Sequence, residues 1–166
     1  MEIMLSLGSN VFNSMSVKEM SELGAKVIVL SPEMTLLQAS RVGDAAKTGL
    51  IVYGRLPLMV TENCLIKGKT GECTCHLAPA KLTDKTGADF PIIKDADSCR
   101  SILLNGKKLN WLDRQDDLAK LGLWAVRLYF TTENPKEVDR ILSDRENEAP
   151  FDPGVCTRGL YLRGVE

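Results

Sequence analysis

Apolar and polar positions follow two rhythms along this chain, and the unbroken apolar runs mark the sheet. "AKVIVL" (25–30), "GLIVYG" (49–54) and "WAVRLYF" (124–130) are rich in β-branched and aromatic residues, the pattern of strands buried on both faces. "EIMLSLG" (2–8) is a shorter strand-like run ahead of them. The 3.6-residue rhythm fills the gaps. "SVKE" (16–19) reads as a capping box, with Ser16 accepting from the Glu19 N–H, and predicts a helix from Val17 to Leu23. Gly24 then suits the left-handed position just past its end. "SPEMTLLQAS" (31–40) predicts a second helix, with Ser31 as N-cap, Pro32 opening it and Glu33 in a first turn that favours an acid. "WLDRQDDLAKLG" (111–122) predicts a third, ended by Gly122. "NPKEVDRILSD" (134–144) predicts a fourth, capped by Asn134, opened by Pro135 and apolar along Val138, Ile141 and Leu142.

The order is β-α-β-α-β, an insertion, then α-β-α. That is an α/β fold of parallel β/α units with right-handed crossovers, whose functional loops lie at the carboxyl ends of the strands. Four such strands make either a small open sheet or half of an eight-stranded barrel, and both place the loop after the third strand on the functional rim. The insertion, residues 55–110, breaks the rhythm inside what reads as a single domain over 1–166. "KLTDKTGADFPII" (81–93) predicts a hairpin turning at Lys85-Thr86-Gly87. "SILLNGKKL" (101–109) predicts another, with Asn105-Gly106 supplying the positive φ angles of a tight turn.

Composition narrows the class. With 44% apolar residues and a net charge of −1, the chain can build a globular core, and global charge offers no field to draw nucleic acid; only "KGK" (67–69) forms a local basic patch. The amino terminus lacks the basic region of a signal peptide, and no run approaches the roughly twenty apolar residues that cross a bilayer. A soluble, cytoplasmic protein with no membrane partner is expected. Five cysteines, an odd number, make a poor disulfide framework in a reducing compartment. Metal binding or inert burial remains.

"NCLIKGKTGECTCH" (63–76) places Cys64, Cys73 and Cys75 in one polar loop, directly before the single histidine, His76. Cys99 follows after a longer gap. The spacing fits no standard zinc finger, and free cysteines are commonly just buried. A polar, glycine-containing loop is nevertheless a poor place to bury several thiols, so the expectation is a thiolate metal site. Four thiolates suit tetrahedral zinc or a 4Fe–4S cluster, whose ligands spread around a cube and tolerate irregular spacing. His76 is a conceivable substitute ligand, and Cys156 stands apart in the tail.

At "VYGRLPLMVTENC" (52–64) the chain resembles the peptidase U32 family, the collagenase-like proteases. "NVFNS" (10–14) with "VIVLSPEMTL" (27–36), "LTDKTGADFPIIKDADSCRSILLNGKKL" (82–109) and "TRGLYLRGVE" (157–166) extend the resemblance along nearly the whole chain. It implies the C-terminal half of a TIM-type barrel carrying a cysteine-rich hairpin insertion. The partner would then be the missing N-terminal half or a second copy of this chain. Two activities come with the family. One is peptidase or collagenase-like; the other is iron–sulfur-dependent hydroxylation of RNA bases or of a quinone precursor, so that RNA or a small molecule is the substrate. In the second, positions matching Cys64, the Cys73/Cys75 pair and Cys99 hold the cluster. The pair is closer here than the family pattern implies, which leaves open whether Cys73, Cys75 or His76 completes the site.

Hydrolysis by ordinary means is hard to assemble. A serine or cysteine peptidase needs a base beside its nucleophile and a zincin needs two histidines, whereas this chain has one histidine, adjoining the cysteines. Arg55, just after the third strand, is a candidate to grip a carboxylate or phosphate, or else to pair with Glu33 or Glu62. These three are the candidate catalytic residues. Asn13 is a candidate substrate contact or a cap; Arg158 is a candidate for meeting substrate or offsetting cluster charge, or else simply faces solvent.

Overall fold

The longest apolar run becomes the most deeply buried strand, as a β-branched segment with no polar face must. The computed structural model describes residues 2–42, 46–72, 79–94, 100–146 and 154–164. In chain order its elements are β1 (Ile3–Leu5), α1 (Ser14–Glu22), β2 (Ala25–Val29), α2 (Leu36–Ser40), β3 (Lys47–Gly54), β4 (Pro57–Thr61), α3 (Leu65–Thr70), β5 (Ala80–Thr83), β6 (Asp89–Lys94), β7 (Ser101–Leu104), β8 (Lys108–Asn110), α4 (Gln115–Ala119), β9 (Ala125–Tyr129), α5 (Pro135–Glu146) and β10 (Cys156–Thr157). They fall into two compact units, one of residues 1–54 with 109–166, the other of residues 55–108.

In the first unit β1, β2, β3 and β9 lie side by side in chain order and run parallel. The mixed α/β class is therefore as expected. β8 adds antiparallel to the last residues of β3, Asn110 facing Tyr53 and Leu109 facing Gly54, and β10 follows β8. Val17, Ile28, Leu30, Leu50, Ile51, Val52, Leu109 and Trp111 are essentially inaccessible to solvent and form the core. Gly54 is obligatory at the end of β3: its φ is +124°, and a Cβ there would fall 1.9 Å from the Tyr129 carbonyl oxygen.

Three helices begin or end elsewhere than the pattern predicts. α1 starts at Ser14, because the Asn13 side chain accepts from the Ser16 N–H at 2.8 Å and so caps the helix one turn before the Ser16 box would. Gly24 does take positive φ just past its end, as expected. α2 starts at Leu36, not Pro32. Thr35 and Gln38 form the operative capping box, while Ser31 is buried and its hydroxyl accepts from the Glu33 N–H in a turn. The third helix shrinks to Gln115–Ala119, since Trp111 and Leu112 are buried just after β8. The fourth is as predicted, with Asn134 and Glu137 bonded reciprocally at 3.0 and 2.8 Å.

The second unit is a four-stranded antiparallel sheet in the order β4-β7-β6-β5. β5 and β6 form the expected hairpin, whose turn is organised by the Asp84 carboxylate accepting from Thr86 N, Thr86 Oγ1 and Ala88 N. The second expected hairpin does not form. β7 pairs with β4 and β6, and β8 leaves to pair with β3. Neither Asn105 nor Gly106 has positive φ; Gly106 is needed for close approach, a Cβ there lying 2.7 Å from the Asp89 carbonyl oxygen.

Candidate functional site

Cys64 is placed by the end of β4. Thr61 Oγ1 accepts from the Asn63 N–H at 3.2 Å, which turns the chain out of the strand, and Cys64 becomes the residue that caps α3. Its Sγ accepts from the Lys67 N–H at 3.4 Å, and the thiol is free and half-buried. The next residue, Leu65, donates its N–H to Ser101 Oγ at 3.1 Å, and Ser101 is buried opposite Thr61 across β4 and β7. The start of α3 is therefore pinned to the start of β7.

Cys73, Cys75, His76 and Cys99 lie outside the described residues. The described chain leaves β6 at Lys94 and re-enters β7 at Ser101, its cross-strand partner, and Cys99 stands two positions before that serine in sequence. The attachment points of the Cys64 and Cys99 segments thus adjoin at one end of the small sheet. Among the described residues no three histidine, cysteine, aspartate or glutamate side chains gather as a metal-holding group. One ligand can be tested for fit, and Cys64 fits by donor type: a free, half-buried sulfur just past the end of β4 is the soft ligand that a thiolate metal centre uses. Cys156 is also free and half-buried, in β10 of the other unit.

The remaining candidates divide between the units. In the smaller one, Arg55 turns its Nη1 to the carbonyls of Asn105, at 2.8 Å, and Gly106, and its Nε is buried without a partner among the described residues. It closes the loop between β7 and β8 and pairs with neither Glu33 nor Glu62. Glu62, well exposed, pairs with Arg100 at 2.9 Å. In the larger unit, Asn13 is the α1 cap and Glu33 is exposed in the turn before α2.

Arg158 forms a two-pronged pair with Asp113, at 2.5 and 2.7 Å, and also donates to the Asn110 carbonyl. Hydrogen bonds from Arg158 hold the Asp113 carboxyl below its usual range and, reciprocally, raise the guanidinium. The Trp111 indole packs against Tyr161 and donates to the Arg158 carbonyl at 3.1 Å, while the Tyr161 hydroxyl reaches the Ile51 carbonyl at 2.6 Å. Burial pushes that phenol above its usual range. The arginine is thus a clasp that fixes residues 157–161 against β3 and β8.

A further polar cluster sits at the carboxyl ends of β3 and β9. Glu133 accepts from the N–H groups of Thr131 and Thr132, at 2.8 and 3.1 Å, and from the Tyr53 hydroxyl at 3.3 Å. The Tyr53 ring packs on Phe130, and the nearby Thr131 hydroxyl is buried without a partner among the described residues. In the sequence "TTENP" looks like no more than the cap of the next helix, and its position directly after a parallel strand is the signal that points to it.

With this geometry in place, the match to known families is decisive: the family described as Peptidase family U32 matches residues 1–143. The chain belongs to peptidase family U32. No curated protein and no solved structure matches it significantly. The U32 match takes in β1 to β9 and the whole of the smaller unit, including Cys64 and the Cys73–Cys75 loop, and it stops ahead of the Arg158 clasp.

Proposed function

We propose that this U32 protein is an iron–sulfur-dependent enzyme component of the hydroxylation type, acting on RNA bases or on a quinone precursor. Cys64, Cys73, Cys75 and Cys99 hold a 4Fe–4S cluster, with zinc as the alternative occupant. The observation that carries this reading is the pinning of Leu65 to Ser101, which anchors the Cys64 segment beside the strand end that the Cys99 segment enters. When bound, the cluster would supply redox chemistry that the chain's own side chains lack. Cys64 would contribute one of the sulfur ligands, held at the start of α3 where its Sγ accepts from the Lys67 N–H. A collagenase-like peptidase is the competing reading, and it is disfavoured by a single histidine that adjoins the cysteines in sequence.

The larger unit we read as half of a TIM-type barrel that is completed by an N-terminal half or by a second copy. Parallel strands in chain order support this. So does the bond from Arg127, on β9, to Ser6, just past β1. Three strand spacings, about 14 Å, separate those strands in a flat sheet, further than an arginine reaches, so the sheet must curl. Anaerobic purification with a visible absorption spectrum and iron, sulfide and zinc analysis tests the proposal. Brown protein with stoichiometric iron and sulfide that is lost in Cys64→Ala is expected; colourless, metal-free, folded protein rejects it.

A further inference from the structure

The same Arg127 has a property that neither the family nor the cysteine centre explains. Strand register puts Val29, Gly49, Ile51, Ala125 and Arg127 on one face of the parallel sheet, and Tyr129, two residues on, shares it. An arginine on that face is costly unless its charge is matched. Arg100, Arg114, Arg140 and Arg158 each meet a carboxylate. Arg127 meets none among the described residues: its protein partners are the neutral Ser6 hydroxyl, accepting from Nη1, and the Tyr129 ring, centred 5.9 Å from Cζ. Ser6, Arg127 and Tyr129 are all half-buried, so a small ligand can reach them.

The donors left over define the ligand. The Ser6 oxygen accepts from arginine and keeps its own O–H free to donate. The Tyr129 hydroxyl makes no bond among the described residues, and the guanidinium keeps most of its N–H groups uncommitted. Three donors around one unmatched positive charge suit an anion with several acceptor oxygens, and a tetrahedral phosphate takes bonds from three directions better than a planar carboxylate does. We propose that Arg127, Tyr129 and Ser6 form a binding site for the phosphate group of a small ligand or ester, on the sheet face of the larger unit and independent of the cysteine centre.

The test is a calorimetric titration of the full chain with inorganic phosphate, with sodium chloride at equal ionic strength and sodium acetate as comparison arms. Saturable phosphate binding is expected, weakened at least about tenfold by Arg127→Met and several-fold by Tyr129→Phe, with circular dichroism confirming the fold. Binding matched by chloride, stronger binding of acetate, or phosphate affinity unchanged in the variants overturns it. Should Arg127→Met not fold, Arg127→Lys with Tyr129→Phe decides, since that pair keeps the charge but loses the fork and a donor. Because the titration is read with or without metal bound, its failure leaves the cluster proposal standing, and the reverse holds.

Discussion

The two units are built on different physical terms. In the larger one, β3 carries six consecutive buried residues and packs beneath Trp111, Leu109 and Tyr161. In the smaller one, β4 and β5 have no buried residue, β6 is at most half-buried, and Leu58, Met59 and Val60 stand well exposed. β7 supplies its buried apolar anchor, Leu104, and the Asp84 turn and the carbonyl contacts of Arg55 add local order. Independent units below about 70–80 residues rarely gain enough from burial alone and commonly add a metal or disulfides. The comparison teaches that the parallel sheet is sustained by hydrocarbon, whereas the cysteine-bearing unit has little of it, so the proposed centre would matter most there.

Substitutions that separate these two modes of stabilisation sharpen the comparison. Gly54→Ala has the largest expected effect, more than about 4 kcal/mol, because the strand pair must part to admit a Cβ; urea unfolding or failure to express folded protein reads it. Trp111→Ala follows at about 3–5 kcal/mol, combining a cavity with a lost hydrogen bond, measured by the denaturation midpoint. Asp113→Asn should cost about 1.5–3 kcal/mol at neutral pH.

That loss has a defined pH dependence. Asp113 titrates below its unfolded value of about 3.9, so its contribution is complete above that pH and disappears as pH falls through the lowered native value. Wild type and Asp113→Asn should therefore converge in stability on acidification. A gap that stays constant would show that the clasp is not electrostatic. Smallest is Asp89→Asn in the other unit: exposed, its pairs with Lys81 and Thr83 hold only the β5–β6 hairpin, so local hydrogen exchange quickens while the midpoint stays put.

Legibility in the sequence follows the same divide. β2 and β3 are readable because burial leaves a nearly unbroken apolar run, β9 from its β-branched and aromatic residues although it is only half-buried and carries Arg127, and α5 because Asn134 and Pro135 mark its start locally. Helix starts went astray where two caps compete: Asn13 against Ser16, Thr35 against Ser31. The expected β7–β8 hairpin gives way because β3 offers β8 a partner fifty-odd positions away, which no local turn signal reveals. At the candidate site, Cys64 could be found by its neighbours in sequence. The joining of Leu65 to Ser101, the Arg158–Asp113 clasp and the reach of Arg127 to Ser6 are long-range pairings that leave no periodic trace. Cys73, Cys75 and Cys99 stand as sequence expectations outside the described residues.

The most direct test is amide hydrogen exchange on anaerobically prepared protein before and after chelation of the proposed metal centre. Amides of residues 55–108 should lose protection when the metal leaves, while those of β2, β3 and β9 keep theirs. Equal protection of the smaller unit with and without metal would contradict the claim that a thiolate-bound centre holds it together.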